Sequence, residues 1–354
     1  MIGSRLKLAR SASGLSLREL EGRIGSRVTA QAIGKYERNE SMPGSGVLIA
    51  LAKALGVSVE YLTSEQDLAL EAVEFRKKSI ARKREEIIVQ ARVIDLLERY
   101  ISVEQLLSLP SAEWDKPREA PYPVVGDLSE VEQAAVSLRT HWDLGRKPIL
   151  SMVELLEECG VKVLALELSD IGGLTAYAQR GGENVGAVIV VNHTDSGERQ
   201  RFTLSHELGH LVLSVDDGVD SEKAAQRFAG AFLMPADAVR TEIGRRRTSI
   251  AWSELFNLKR VFGVSVQAIV YRCRDLGIVN EALYKRLFRD ISRFGWRTRP
   301  YPEPQPIEPE RPSRFERLCS RALAENVISE AKAAELLRKS VRELHQWMEQ
   351  PPRD

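Results

Sequence analysis

Apolar residues in the first 65 positions recur every three or four residues, which is the spacing of one face of an α-helix. Glycine at position 25 and the segment 41–44 interrupt this spacing, as expected between short helices. The pattern therefore predicts an all-α domain over residues 1–66. Four apolar stripes carry the pattern: Ile2, Leu6 and Ala9; Leu17, Leu20 and Ile24; Ile33 and Tyr36; Leu48, Leu51, Ala52 and Leu55.

The next segment keeps helical spacing and then loses it. Residues 67–107 favour one or two long helices, interrupted by two short runs of basic residues. Residues 109–127 contain four prolines, which is typical of an irregular linker. We therefore assign residues 67–127 to a helical connector and linker.

Helical and strand-like patterns are mixed from residue 128 onward. Helices are predicted over 128–141 and 149–159, and the helical period returns at residue 195. Between them lie three strand-like runs bounded by glycine pairs, at 161–168, 174–179 and 187–192. Residues 128–279 are thus expected to form an α+β domain.

The end of the chain combines arginines, prolines and short helices. Residues 300–312 hold six prolines and cannot form regular structure. Residues 314–349 again show helical spacing, with a turn near its middle, and their mixed charges favour a packing or dimer element over DNA recognition. We assign 280–354 to a Pro/Arg-rich linker and a helical C-terminal region.

Composition and charge narrow the class of protein. Lys+Arg number 51 and Asp+Glu 50, so the net charge of +1 excludes a wholly basic, histone-like protein. The 43% apolar and 29% charged residues are typical of soluble globular domains, and no apolar run is long enough to span a membrane. The first residues lack the apolar core of a secretory signal. Three widely spaced cysteines fit a reducing compartment, so we expect a cytoplasmic protein with no membrane partner.

The strongest chemical motif is His206-Glu207-Leu208-Gly209-His210, an H-E-x-x-H pattern within a helical segment. Residues four apart share a helix face, with Cβ atoms about 5–6 Å apart, so both imidazoles can reach one metal ion. Glu207 lies off that line and can instead act on a water beside the metal. The surrounding leucines predict a buried helix, which disfavours a solvent-exposed surface helix carrying two chance histidines.

A catalytic zinc usually takes three protein ligands and keeps one position open. Asp216 and Asp217 precede Gly218 in a predicted turn, where carboxylates usually face solvent. Glu222 opens a helix that runs to about residue 233, on the same stripe as Ala225. We therefore predict Glu222 as the third ligand. The alternative is an acidic residue that only stabilises the N-terminal end of the helix dipole.

These motifs and their flanks resemble the ImmA/IrrE family of metallopeptidases over roughly residues 130–275. The resemblance rests on Glu198–Leu204 before the H-E-x-x-H motif and on 222–229 and 232–235 after it; Ala224 stands where many members carry Glu. It implies a zincin-like α+β domain that hydrolyses peptide bonds, with Zn²⁺ on two His and a Glu and with Glu207 as the base. Hydrolysis also needs a donor for the developing oxyanion, and Tyr177 and His193 are candidates.

Residues 16–39 have a helix-turn-helix rhythm that suggests binding of double-stranded DNA. Thr29 is a natural N-cap for the second helix. Gln and Lys side chains can read base edges, and the helix end suits backbone phosphates. Nine Lys/Arg against six Asp/Glu in residues 1–66 give a modest net charge of +3. The candidate DNA-contacting residues are Thr29, Gln31, Ala32, Lys35, Arg38 and Asn39.

The block 2–64 resembles an Xre/Cro-type helix-turn-helix regulator, with a turn at 25–28 that is one or two residues longer than usual. The fold class expected for the whole chain is multidomain α+β: an all-α helix-turn-helix domain, a zincin-like metallopeptidase domain and a helical C-terminal region. The alternative for the first block is a protein-interaction module of the same fold.

Fusion of the two modules predicts a DNA-binding transcriptional regulator, acting as a homodimer. Its zinc-dependent endopeptidase domain would cleave a repressor-like protein, or the chain itself, in response to a stress signal. The alternative is a repressor or antitoxin-like transcription factor whose zinc domain is sensory or structural. Zinc content and cleavage, with and without Glu207, distinguish the two hypotheses.

Overall fold

A computed structural model describes residues 2–64, 68–77, 83–109, 114–125, 128–168, 171–298 and 300–349. The chain forms the multidomain α+β arrangement that the sequence predicts. None of the helices within these residues is long and apolar enough to cross a membrane.

The N-terminal domain consists of five short helices around a small apolar core of Leu6, Leu20, Ile33, Leu51 and other aliphatic residues. Side-chain caps define where several of these helices begin: the hydroxyls of Ser16 and Thr29 accept the backbone N–H groups three residues on. The helices are α1 (Gly3–Ala12), α2 (Leu17–Arg23), α3 (Ala30–Glu37), α4 (Ser45–Leu55) and α5 (Val59–Thr63).

The connector corrects one sequence prediction. Residues 68–77, predicted as helix, form strand β1 (Leu68–Lys77), and the long helix α6 begins only at Lys83 and ends at Leu106. The segment was mistaken for a helix because the strand is irregular between Glu71 and Glu74, where Ala72 has a φ of +48°. This bulge brings Leu70 and Val73, three residues apart, onto the same apolar core, and that spacing imitates a helix.

A four-stranded sheet in the order β1-β4-β5-β3 organises the rest of the molecule. Strands β3 (Lys162–Leu166), β4 (Ile171–Arg180) and β5 (Glu183–Asn192) lie where the three strand-like runs predicted strands. β1 and β5 pair antiparallel with β4 on its two sides, and β3 pairs parallel with β5. Strands β2 (Tyr122–Val124) and β6 (Leu213–Val215) form a separate parallel pair.

Helices cover both faces of this sheet. Alternate residues of β5 separate into two cores: Ile189 and Val191 pack on one face, and Val188 and Val190 pack on the other. The first face carries α7 (Ser129–His141), α8 (Met152–Glu158), α9 (Gly197–Val212), α10 (Ser221–Leu233), α11 (Ala236–Ile243), α12 (Trp252–Phe262), α13 (Val266–Asp275) and α14 (Glu281–Arg293). The second face carries α6, α15 (Arg314–Ala324), α16 (Glu330–Leu337) and α17 (Val341–Glu349).

The proline-rich segment before α15 is irregular, as predicted, but the described part of it is held firmly against the domain. Glu303 accepts hydrogen bonds from the buried Lys259 (2.7 Å) and from the backbone N–H of Val266 (3.0 Å). Glu310 pairs with Arg201 and accepts the N–H groups that begin α8. This segment therefore connects the helices on one face of the sheet to those on the other.

The N-terminal domain is docked on α6 and on the C-terminal helices. Arg5 of α1 forms a buried ion pair with Glu98 of α6. Arg338, which follows α16, donates to the carbonyl of Gly56 (2.6 Å) and to Asp95 of α6 (2.6 Å). The C-terminal helices thus pack as a structural element, which is the role that their mixed charges favoured over DNA recognition.

Candidate metal centre

Two buried histidines on α9 point their ring nitrogens at one place. His206 and His210 lie one helical turn apart, and their Nε2 atoms are 3.1 Å from each other. The side chain of His206 is fully buried and that of His210 is 9% exposed. Because α9 packs against β4, β5 and α10, the position of this pair is fixed by the core.

Glu222, in the first turn of α10, completes a triangle of ligand atoms. Its Oε2 lies 3.4 Å from Nε2 of His206, and its Oε1 lies 3.5 Å from Nε2 of His210. Ligands bound tetrahedrally to zinc at 2.0–2.1 Å are separated by about 3.3 Å, so one ion can be bound by all three side chains. Among the described residues, these three form the group of His, Cys, Asp and Glu side chains able to hold a metal.

Glu207 is fully buried beside this triangle, against the backbone of β4. A Cβ atom built on Gly173 would lie 2.6 Å from Oε1 of Glu207 and 2.7 Å from Cγ2 of Thr203. Only a residue without a side chain therefore leaves room for the Glu207 carboxylate at this point of the sheet. The carboxylate is close enough for its charge to act on His210.

A second carboxylate contacts the far side of His210. Oε2 of Glu74, on β1, is 2.9 Å from Nδ1 of His210. Burial on its own would lower the pKa of His210, but the hydrogen bond with Glu74 and the charges of Glu207, Glu74 and Glu222 raise it above its usual value. The imidazole therefore lies in a strongly negative environment, which suits a bound cation.

The two candidate oxyanion donors differ in their surroundings. Tyr177 lies on β4 on the same face as Gly173 and packs its ring 5.9 Å from that of Trp114. Burial raises the pKa of Tyr177, and the charge of nearby Glu74 raises it further. His193 follows β5 and is exposed, with its backbone N–H bonded to the carbonyl of Leu166. Tyr177 thus lies close enough to Glu74, the residue that contacts His210, for the charge of Glu74 to raise the pKa of Tyr177.

The candidate DNA-contacting residues lie on and beside α3. Gln31 and Lys35 are exposed, Ala32 is half-buried, and the exposed Thr29 caps the helix by accepting the N–H of Ala32 (3.2 Å). These side chains form one outward face of the helix-turn-helix, which is the arrangement that base contacts require.

Besides Thr29, two more of the six candidates have partners within the domain. Arg38 is exposed, and its guanidinium pairs with Glu40 (2.6 Å). Asn39 has a φ of +57°, and its Oδ1 accepts the backbone N–H of Gly3 (2.8 Å). The side chain of Asn39 therefore holds the start of α1 against the end of α3.

Sequence reasoning missed Glu74 and Gly173. The glycine pair 172–173 marked only the edge of a strand run, although a glycine opposite the metal-binding helix is a signal for close approach of a side chain. Glu74 fell in a segment predicted as helix, where no spacing related it to His210.

Comparisons with known families agree with this geometry. Residues 156–274 match the peptidase family model described as an IrrE N-terminal-like domain, and residues 6–62 match the model described as helix-turn-helix. The comparison with curated proteins gives no match. The two matched segments therefore show a fusion of a helix-turn-helix DNA-binding domain with a peptidase-family domain of the IrrE N-terminal-like type.

Proposed function

We propose that the chain is a transcriptional regulator whose zinc-dependent endopeptidase domain cleaves a repressor-like protein, or the chain itself, in response to a stress signal. It acts in the cytoplasm, where the DNA is. The observation that carries the proposal is the triangle formed by His206, His210 and Glu222, with Glu207 buried beside it. This set has two imidazoles, one carboxylate ligand and a further carboxylate placed to move a proton.

The residues divide into ligands and a base. His206, His210 and Glu222 would hold Zn²⁺, which when bound supplies Lewis-acid polarisation of the scissile carbonyl and activation of water. Glu207 accepts the proton of the attacking water and passes it to the leaving amine. Its carboxylate is kept dry and fixed by β4, so little reorganisation is needed for this transfer. Tyr177 is the better placed of the two candidate donors to the oxyanion.

A cavity of about 600 Å³ beside these helices supports a polypeptide substrate. Thr203, one turn before Glu207 on α9, and Lys223, next to Glu222 on α10, both line it. Aromatic rings of Tyr271 and Trp296 form part of the remaining wall. A cavity of this size can accept one or two amino-acid side chains; its lining includes neighbours of the proposed ligands and base but none of those four residues themselves.

The strand that contacts Glu207 has no free edge for a peptide. This strand, β4, has β1 on one side and β5 on the other. Within the four-stranded sheet, only the outer sides of β1 and β3 remain for an added strand. An extended substrate would therefore pair with the outer side of β1, the edge strand that carries Glu74.

On the DNA side, we propose a homodimer that binds inverted half-sites about 34–36 Å apart, or a multiple of that distance. α3 would enter the major groove with Gln31 and Lys35 toward the bases, and Arg38 would contact phosphate after leaving Glu40.

The decisive experiment substitutes the proposed base. Wild-type protein and Glu207→Gln are each co-expressed with candidate repressor partners, with and without DNA damage, and every chain is measured by intact mass. We expect fragments with the wild type only, because general-base help is typically worth about 10²–10⁴ in rate. Glu183→Gln, at the exposed start of β5, is the matched control and should cleave as wild type does.

Zinc content and cleavage, measured together, separate this hypothesis from its alternative. Glu207→Gln should keep one zinc per chain and its DNA binding, because Glu207 is not one of the three ligands. Identical fragments from wild type and Glu207→Gln would assign the proteolysis to another protein. Stoichiometric zinc with no fragments under any condition would favour the sensory or structural role.

A further inference from the structure

The contact between Glu74 and His210 joins two parts of the chain that are far apart in sequence. Glu74 lies in the connector, outside the segment 156–274 that matches the peptidase family model. Its Oε2 is 2.9 Å from Nδ1 of His210, on the side of the ring opposite to the nitrogen that faces His206 and Glu222. The imidazole is thus held between a carboxylate and the proposed metal position.

The bulge in β1 is what directs Glu74 toward the metal centre. Glu71 is paired with Tyr177 and, after the irregularity, Glu74 is paired with Thr175. Directly opposed residues in an antiparallel pair point to the same face, so Glu71 and Glu74 both face α9. Without the extra residue, Val73 would occupy the place opposite Thr175, and an apolar side chain would face His210.

We propose that Glu74 is a positioning residue for the metal ligand His210. The proposal rests on the zinc centre described above but not on peptide cleavage. By accepting the Nδ1–H, Glu74 fixes the tautomer in which Nε2 carries the lone pair, and it fixes the ring plane. The carboxylate also increases the basicity of Nε2. Partners of this kind typically contribute about 10–100-fold to metal affinity.

The origin of Glu74 gives this contact a consequence for the whole chain. α5, the last helix of the DNA-binding domain, ends at Thr63, and β1 begins at Leu68. The strand that carries Glu74 is therefore the first element after the helix-turn-helix domain. The peptidase-family segment has its complete metal environment only when this connector strand is paired with β4.

The test measures zinc affinity of the full-length protein by competition with a chromogenic chelator. Glu74→Ala should bind zinc about 10–100-fold more weakly than wild type. Glu71→Ala removes the same charge from the same face of the same strand, where its partner is Gln179, and should stay within about twofold of wild type. Glu74→Gln keeps a hydrogen-bond acceptor and should recover part of the affinity lost in Glu74→Ala.

A spectroscopic measurement separates positioning from a general loss of structure. In zinc-loaded wild type, the Nδ1–H proton of His210 should give a slowly exchanging imidazole signal in ¹H–¹⁵N NMR. That signal should be lost in Glu74→Ala, while amide protection of β4 and β5 is unchanged.

The outcomes distinguish this proposal from the function on which it rests. Stoichiometric zinc in wild type, with equal affinity in Glu74→Ala and Glu71→Ala, would overturn the positioning role alone. A wild-type protein that takes up no zinc would overturn both.

Discussion

The close approach of β4 to the Glu207 carboxylate predicts the effect of adding one methyl group. In Gly173→Ala, the new Cβ would lie 2.6 Å from Oε1 of Glu207, where ordinary contacts begin at 3.4 Å. The new Cβ and Oε1 of Glu207 must therefore move apart by about 0.8 Å. Because β4 is paired with β1 on one side and with β5 on the other, we expect the Glu207 side chain to move rather than the strand.

The size of this displacement sets the expected loss of activity. A misplacement of about 1 Å in a reacting group can cost about 10²-fold in rate. We therefore expect Gly173→Ala to cleave about 10–100-fold more slowly, which corresponds to about 1.4–2.7 kcal/mol of activation free energy. Zinc content should stay at the wild-type level, because the atoms nearest to the added methyl group belong to Glu207 and Thr203 and not to the three proposed ligands.

The assay is the initial rate of fragment formation from the partner found by co-expression, at equal zinc content. Gly218→Ala is the matched control, since nothing lies within 4 Å of its Cβ position. The new Cβ would also lie 2.7 Å from Cγ2 of Thr203, so a clash with Thr203 is the other possible cause of lost activity. Thr203→Ser removes that methyl group and tests this cause. If Gly173→Ala were as active as wild type, or if adding Thr203→Ser restored full activity, displacement of Glu207 would be refuted as the cause.

Three further predictions concern metal, DNA and pH. His210→Ala should lose stoichiometric zinc in metal analysis of the purified protein, because two ligands do not make a stable site; full retention would exclude the assignment. Lys35→Ala should weaken binding to a specific duplex, and added salt should weaken wild-type binding steeply; a genomic footprint without sequence preference would contradict the regulator hypothesis. Burial raises the pKa of Glu157 on α8 from 4.5 to about 7, an effect that Arg317 and Arg314 only partly offset. Because the folded-state pKa is the higher one, wild type loses stability as pH rises from about 4.5 to about 7. Glu157→Gln should therefore be more stable at pH 8, by about 2–3 kcal/mol, and equally stable at pH 4 by thermal unfolding; equal stability at both would contradict it.

The helices of the candidate metal centre could be predicted from sequence because their signals are local. Four-residue spacing relates His206 to His210 within one helix. Glu222 was predicted to face inward because it shares an apolar stripe, and α10 begins beside it, at Ser221. The side chain of Glu222 is nonetheless 52% exposed. The apolar stripe thus predicted that its carboxylate lies beside the two histidines, but not that it remains open to solvent. Zinc ligation by these residues stays a prediction.

The rest of the centre depends on pairing between distant strands, which no local period encodes. β1 reaches His210 across 136 positions of sequence, through its register with β4 and a bulge at Ala72. The bulge removes the strict alternation by which a strand is recognised. The proline-rich segment shows the same limit, because composition predicted its irregular backbone but not the contacts of Glu303 and Glu310 with the domain.

DNA binding does not require the DNA-binding domain to leave α6. The buried pair between Arg5 and Glu98, both 8% exposed, joins the two, and separating them would break the pair but return both charges to water. Gln31 and Lys35 are exposed in this docked arrangement, so DNA can reach them while the contact with α6 is intact. DNA binding and a complete candidate metal centre are therefore compatible in one conformation, in which the connector contacts both domains: α6 packs against α1, and β1 pairs with β4.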